Sequence, residues 1–280
     1  MRFFVRVRAC IAVMGFAALG IGGAAAAPQA DVWPRWTAHA PESAATVDHS
    51  AWDRLLGRYL VPAPDGGLRV AYGRVDAADK DALARYLDGL QRVAVSALNR
   101  DEQRAFWINL YNALTVRLIL ERWPVASIRD IGISPGLFSI GPWGRRLATV
   151  EGDPLSLDDI EHRILRPIWK DPRLHYAVNC TAIGCPDLAP AAFTATNAEA
   201  LLEKAARAFV NHPRGARLEE GRLIVSSIYV WFRDDFGDGT DAAVIAHLAR
   251  YAAPELKAAL VGIERVSGHG YDWAINAALK

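Results

Sequence analysis

Two cysteines five residues apart, Cys180 and Cys185, sit in the segment LHYAVNCTAIGCP at Leu174 to Pro186, with His175 five residues before the first of them. Three chemistries are open to them. An oxidising compartment closes nearby thiols into a disulfide. A reduced Cys180 could instead serve as a nucleophile with His162 or His175 as its base. Cys180, Cys185 and a histidine could also supply three metal ligands. No second closely spaced ligand pair accompanies them, so no metal is expected.

The segment FWINLYNA at Phe106 to Ala113 places Asn109 and Asn112 three apart on one helical face and Trp107 and Tyr111 four apart on a neighbouring one. Two amides in an apolar helix need partners, because each would otherwise cost about 1 to 3 kcal/mol on burial. They hold the backbone of a neighbouring loop, or they line a site. For a thiol enzyme, Asn109 is the candidate to orient the base or donate to an oxyanion.

In LDDIEH at Leu157 to His162, Ile160, followed by Ile164 and Leu165, is expected to pack inward. That leaves Glu161 or His162 to face a cleft. Histidine suits proton transfer near neutral pH, so His162 is a candidate acid or base. Downstream, His269 with Asp272 is the alternative pair that would restore the order of papain-like enzymes, cysteine then histidine then acid. Trp231, Phe232 and Phe236 read as core aromatics, and Asp234 and Asp235 as caps or arginine partners.

These residues need elements to position them. Apolar spacing predicts helices over Ser50 to Leu60, from Asp76 or Asp79 to about Leu98, and over Arg100 to Trp123, where Pro124 stops the last. Further helices are expected over Pro154 to Leu165, Asn197 to Val210, Ser227 to Phe236 and Ala242 to Tyr251. Strands are expected over Leu68 to Val75, Leu147 to Val150, Leu174 to Val178, a hairpin from Arg217 to Val225, Ile263 to Val266 and Tyr271 to Trp273. Ile131 to Gly144, rich in Gly and Pro and holding Phe138 and Trp143, reads as an ordered loop beside a site. Helices dominate the first half and short strands come late without βαβ alternation, so the expected fold is α+β, one domain with a small, mainly antiparallel sheet.

Met1 to Arg8 carries three arginines and no acid, and an apolar run leads to Ala24 to Ala27, the pattern of a cleaved secretory signal. The expected organisation is a signal peptide at 1–27, an N-terminal arm at 28–75 whose Trp33, Trp36 and Trp52 pack on the domain, and the domain at 76–280. Cys10 lies ahead of the apolar run, on the wrong side for a lipid-bearing cysteine after cleavage. A periplasmic or secreted protein without a stable membrane anchor follows. With 32 basic and 31 acidic residues the chain is nearly neutral, which argues against a nucleic-acid partner. It has no nucleotide loop, metal-binding helix or serine elbow, so no cofactor is expected.

Five blocks in one order resemble the DUF547 family of uncharacterised proteins: FWINLYNA, LSLDDIEHRILRP at Leu155 to Pro167, LHYAVNCTAIGCP, VSSIYVWFRDDFG at Val225 to Gly237 and YDWAIN at Tyr271 to Asn276. The resemblance runs from about Asp79 to Asn276 and implies an exported bacterial member. Bacterial members read Asn-Cys-Gly-Ala where this chain has Asn179-Cys180-Thr181-Ala182, and Pro-Pro where it has Pro186-Asp187, so the glycine of a tight turn is replaced. The function expected first is a binding or scaffold module, its groove formed by Asn109, Asn112, Trp107, Tyr111, Glu161 and His162 and pinned by a Cys180–Cys185 disulfide. Its partner would be a small molecule, a peptide or an envelope protein. The alternative is a hydrolase or acyl transferase using Cys180 with a histidine base.

Overall fold

The fold is built around helix α3 (Arg100–Arg122), in which the side chains from Glu102 to Val116 are all buried. Apolar side chains point from every side of this stretch, so the helix is enclosed and its few polar groups must find partners inside. Asn99 caps it by accepting from the Glu102 N–H at 3.0 Å, and Pro124 follows its end. The computed structural model describes residues 28–136 and 140–278. The expected signal peptide, with Cys10, and Phe138 of the Gly-rich loop lie outside the described residues.

Around α3 pack α1 (Ser50–Tyr59) and α2 (Ala77–Leu90), joined by the short antiparallel pair β1 (Leu60–Pro62) and β2 (Leu68–Val70). Asp76 caps α2 through the Asp79 N–H at 2.9 Å. The strand expected through Val75 stops at Val70 and gives way to a 3-10 turn at Tyr72–Arg74. The arm lies on this core, with Trp36 2% exposed and edge-on to Trp107 at 5.0 Å. Fully burying an aromatic of this size contributes about 2 to 3 kcal/mol.

A second antiparallel pair, β3 (Ala148–Val150) and β4 (Asp153–Leu155), turns through Glu151 and Gly152, both at positive φ. The hairpin of β5 (Ala216–Glu219) and β6 (Arg222–Ser226) turns through Glu220 and Gly221 in the same way, the geometry of a type I′ turn. Strand β7 (Val266–Gly270) joins β6 in parallel, so the third sheet is mixed. A second core gathers α5 (Ala198–Val210), this sheet, α6 (Ile228–Trp231), α7 (Asp241–Tyr251) and Leu260, which follows α8 (Pro254–Ala259). Helices with small sheets of two or three strands make the fold α+β.

Several expected elements differ. The helix expected to about Leu98 ends at Leu90, the one expected over Ser227 to Phe236 breaks into α6 and a 3-10 turn at Arg233–Phe236, and the late strand falls on Val266–Gly270, so Tyr271 to Trp273 is no strand. Leu174 to Val178 is no strand. Pro172–Tyr176 forms a 3-10 turn, started by Pro172 and capped by Asp171. A short apolar run buried on all sides looks the same in either conformation. Where one helix was expected from Pro154, the chain instead completes β4 and then winds into a π-helical segment, Asp159–Leu165, that passes into the short helix α4 (Arg166–Trp169). Pro167 removes one backbone donor from this stretch.

Candidate functional site

The wider π turn splits the chemistry of the Asp159–Leu165 segment between two sides. Ile160, Ile164 and Leu165 are fully buried, as their spacing predicts, while Glu161 emerges half-buried between α3 and the 3-10 turn at His175. Isolated π turns often occur at functional sites. The Glu161 carboxylate lies near Tyr111 of α3, and burial first, then that carboxylate, raises the Tyr111 hydroxyl well above its usual range.

The Nδ1 of His175 lies 4.0 Å from Glu161 Oε1, and its Nε2 lies 2.7 Å from Asp235 Oδ2. The same Asp235 oxygen accepts from Arg166 Nε at 2.5 Å. Burial works against the charge of Asp235, but the bonds from His175 and Arg166 outweigh it and hold the carboxyl well below the usual carboxylate range. Phe232 underlies the group: its ring stacks on His175 at 4.6 Å, and Arg166 Cζ stands 4.6 Å from its centroid.

His162 is 6% exposed, and its Nδ1 stands 2.9 Å from Arg166 Nη1. Guanidinium can only donate, so Nδ1 accepts and the ring is neutral with its proton on Nε2. Burial is the main reason its pKa falls to about 4, with Arg166 adding to the effect. Nε2 is 3.8 Å from Asp158 Oδ1. Burial and the neighbouring Glu161 raise the Asp158 carboxyl to about 6. Among the described residues, neither Asp158 nor Glu161 forms an ion pair with a lysine or arginine.

The amides do different work. Asn109 donates to Phe193 O at 2.7 Å and accepts from Phe193 N at 3.0 Å. Asn112 donates to Ala177 O and accepts from Asn179 N, both at 2.8 Å, and so holds the strand of chain leading to Cys180. Both amides bond backbone through the oxygen and one N–H, and Asn109 is fully buried with its amide engaged on Phe193. Trp107 is fully enclosed against Trp36 and Phe106. Of the groove expected on this helix, Tyr111 alone reaches the site.

Cys180 and Cys185 are joined as a disulfide across a Cα–Cα distance of 6.1 Å. The loop between them turns at Thr181, φ +63°, and pairs with the C-terminal segment through Ile183 N to Ala274 O and Gly184 N to Asp272 O, each 2.8 Å. Gly184 is required here, because a Cβ would stand 2.8 Å from Asp272 N and 2.9 Å from the Tyr271 ring. Tyr271 therefore lies against the bridge, its hydroxyl 2.9 Å from Cys180 Sγ and 3.1 Å from Cys185 Sγ. Burial first, then the charge of Glu161, raises the hydroxyl pKa of this tyrosine. Asp187, in the place of the second proline, accepts from Leu68 N at 2.9 Å and from Arg214 Nη2 at 2.5 Å, tying the loop to β2.

Beyond Tyr271 the aromatic face continues. Tyr271 meets Trp231 at 4.9 Å and Trp273 at 4.6 Å, and Trp273 meets Trp143 at 5.8 Å, whose backbone oxygen accepts from Asp158 N. All four rings are half-buried. His269 lies apart from this face: it is on β7 rather than in a loop, with Nδ1 2.8 Å from Ser227 Oγ. Asp272 is exposed and accepts from Ala274 N, orienting no histidine.

Tyr111, Glu161, His162 and His175 are thus brought together, and Cys180 and Cys185 adjoin them through Tyr271. Among the described residues neither histidine hydrogen-bonds a sulfur. Asp158, Arg166, Phe232, Asp235 and Tyr271 complete the site without having been singled out for it. The readable signal was charge inside apolar blocks, Arg166 in HRILRP and Asp235 in WFRDDFG. Among the described residues no group of three or more His, Cys, Asp or Glu is placed to hold a metal ion. A separate groove of about 630 Å³ lies between Thr46 to Arg54 and the end of α2, away from this chemistry.

No curated protein and no solved structure matches the chain. Residues 95–210, which carry α3, the π segment, the disulfide loop and α5, match the model of the family described as protein of unknown function, DUF547.

Proposed function

We propose that this chain is a ligand-binding module of the cell envelope, and that its ligand surface is the acidic and aromatic face of Asp158, Glu161, Trp143, Tyr271 and Trp273. The observation that carries the reading is the uncompensated pair Asp158 and Glu161. Asp159, Asp171, Asp187 and Asp235 nearby all have arginine partners, whereas these two carboxylates have none among the described residues. A half-buried carboxylate without a counter-ion is costly, and a cationic ligand would supply the missing charge. Aromatic faces beside it suit an amine or quaternary ammonium. The favoured ligand is therefore an amine-bearing peptide or amino sugar, and the leader-like N-terminus supports export.

Calorimetric titration with trilysine, a glucosamine oligomer and its N-acetylated counterpart tests this. Binding of a cationic probe that weakens with salt and is lost in Glu161→Gln supports the reading. Equal affinity for the neutral oligomer, or no binding by any probe, defeats it.

A second reading, a cysteine-dependent hydrolase or acyl transferase, is favoured by the orientation of His175 between Asp235 and Glu161, an arrangement suited to holding a proton. It requires the bridge to open so that Cys180 becomes a thiolate. Turnover of p-nitrophenyl esters that appears only after reduction and vanishes in Cys180→Ala would favour it over the binding module.

A further inference from the structure

The two sulfurs of the bridge are not equivalent. Cys180 is half-buried, whereas Cys185 is 4% exposed. Two donors converge on the buried sulfur: the Cys180 backbone N–H at 2.9 Å and the Tyr271 hydroxyl at 3.1 Å. A sulfur in a disulfide has no proton to give, so the single Tyr271 proton is shared between the two sulfurs, 2.9 Å from Cys180 and 3.1 Å from Cys185, while the Cys180 N–H is a donor to Cys185 alone. Hydrogen bonds to an ionised acceptor are the strong ones, so both would strengthen if Cys185 became a thiolate. Thiol–disulfide exchange needs an accessible sulfur to attack and a stabilised one to leave. The loop supplies one of each.

We infer that Cys180–Cys185 is a thiol–disulfide exchange centre in which an external dithiol attacks Cys180 and Cys185 is the leaving thiolate. The thiolate of the dithiol forms a new S–S bond with Cys180 Sγ as the Cys180–Cys185 bond breaks, and the electron pair of that bond goes to Cys185 Sγ. The second thiol of the dithiol, deprotonated, then attacks its own mixed-disulfide sulfur and releases Cys180. The dithiol is oxidised by two electrons to a cyclic disulfide and the protein bridge is reduced to two cysteines, with the two protons of the dithiol ending on them or in solvent.

Tyr271 keeps its proton through the neutral range, because burial raises its hydroxyl. It therefore remains a donor to Cys185 throughout the exchange. Thr181 and Gly184 hold the loop against the C-terminal segment independently of the sulfur bond, through Asn276 N to Thr181 O and Gly184 N to Asp272 O. The dithiol state can thus keep the loop in place, as a reversible centre requires. The inference does not depend on which ligand the acidic face takes.

The test follows reduction of the full chain by dithiothreitol without denaturant, with alkylation and peptide mass spectrometry reporting each cysteine over time. Reduction faster than global unfolding, measured in parallel by hydrogen exchange, is expected. Tyr271→Phe should slow it by about tenfold or more, the effect of losing one hydrogen bond to a charged acceptor. Where that variant fails to fold, the single-cysteine variants decide. Cys185→Ser should form a mixed disulfide rapidly with oxidised glutathione at Cys180, and Cys180→Ser should leave Cys185 unreactive until denaturant is added. Reduction only at the rate of global unfolding, or equal reactivity of the two single-cysteine variants, overturns the inference and makes the bridge a staple.

Discussion

His175 Nε2 stands 2.7 Å from Asp235 Oδ2, across 60 residues of sequence, and that oxygen also receives Arg166. The bond fixes the imidazole tautomer: Nε2 donates to the carboxylate, and Nδ1 is turned toward Glu161. The 3-10 turn, the start of α4 just after the π segment, and the turn after α6 are thereby locked around one oxygen. Site geometry and local stability are the same set of bonds here.

Asp235→Asn tests that coupling. The amide keeps the shape but removes the charge that compensates Arg166, whose side chain is 6% exposed. Leaving a buried guanidinium without its counter-ion costs about 3 kcal/mol. Urea unfolding should show a loss of that order, and the downfield imidazole N–H resonance of His175 should weaken or disappear. An unchanged midpoint would mean that the pair contributes nothing to the fold.

Acid should destabilise the protein well above the carboxylate range. Burial lowers His49, His162 and His247 from an ordinary 6.5 to about 4 each. A histidine with a depressed folded pKa contributes stability that is complete above the unfolded pKa and is lost as pH falls from 6.5 toward 4. The maximum slope is about 1.4 kcal/mol per pH unit for each group, so about 4 for the three. Asp158, raised to about 6, works in the opposite sense, since its ionisation opposes folding as pH rises from 4 to 6. Its side chain is 44% exposed, so solvent screens that contribution and the histidines win. Urea midpoints measured at pH 7.5 and 5.0 should differ steeply; a flat profile would refute three buried neutral imidazoles.

Asn109→Ala and Asn112→Ala should each destabilise by about 2 to 4 kcal/mol, because each strands a buried carbonyl and a buried N–H. Their local effects should differ. Asn112 holds Ala177 and Asn179, so its loss should raise hydrogen exchange in the disulfide loop, whereas loss of Asn109 should raise it around Phe193. Identical exchange maps for the two variants would contradict this division.

How much of this was legible in the sequence depended on range. α3, α5 and α7 follow from apolar spacing and nearby caps, which are local properties. The loop-holding role of Asn109 and Asn112 was one of two readings, since a buried amide must find partners and backbone is the commonest one. The 3-10 turn at His175 was hidden because an enclosed apolar run carries no period. The partnership of Asp235 with His175 was hidden because contacts at that separation are made by tertiary packing. Glu161 was seen as a site candidate, yet its tyrosine neighbours come from α3 and from the chain end, which only the fold brings together.

Thr181→Gly should stabilise the disulfide loop. Thr181 sits at φ +63°, a region that a β-branched residue enters at a cost of about 1 to 3 kcal/mol. The surroundings enforce it: Asn179 Oδ1 accepts the Thr181 N–H at 2.7 Å, and Asn276 N binds its carbonyl at 2.6 Å. The tight turn is thus kept although glycine is not there. Glycine would relieve the strain, offset by the greater entropy of the unfolded chain and by loss of the Oγ1 bond to Cys180 O. A net gain of about 0.5 to 1 kcal/mol is expected, read as a raised urea midpoint with unchanged slope. A loss of stability would show that the hydroxyl bond outweighs the backbone strain, and that threonine at this turn is itself stabilising.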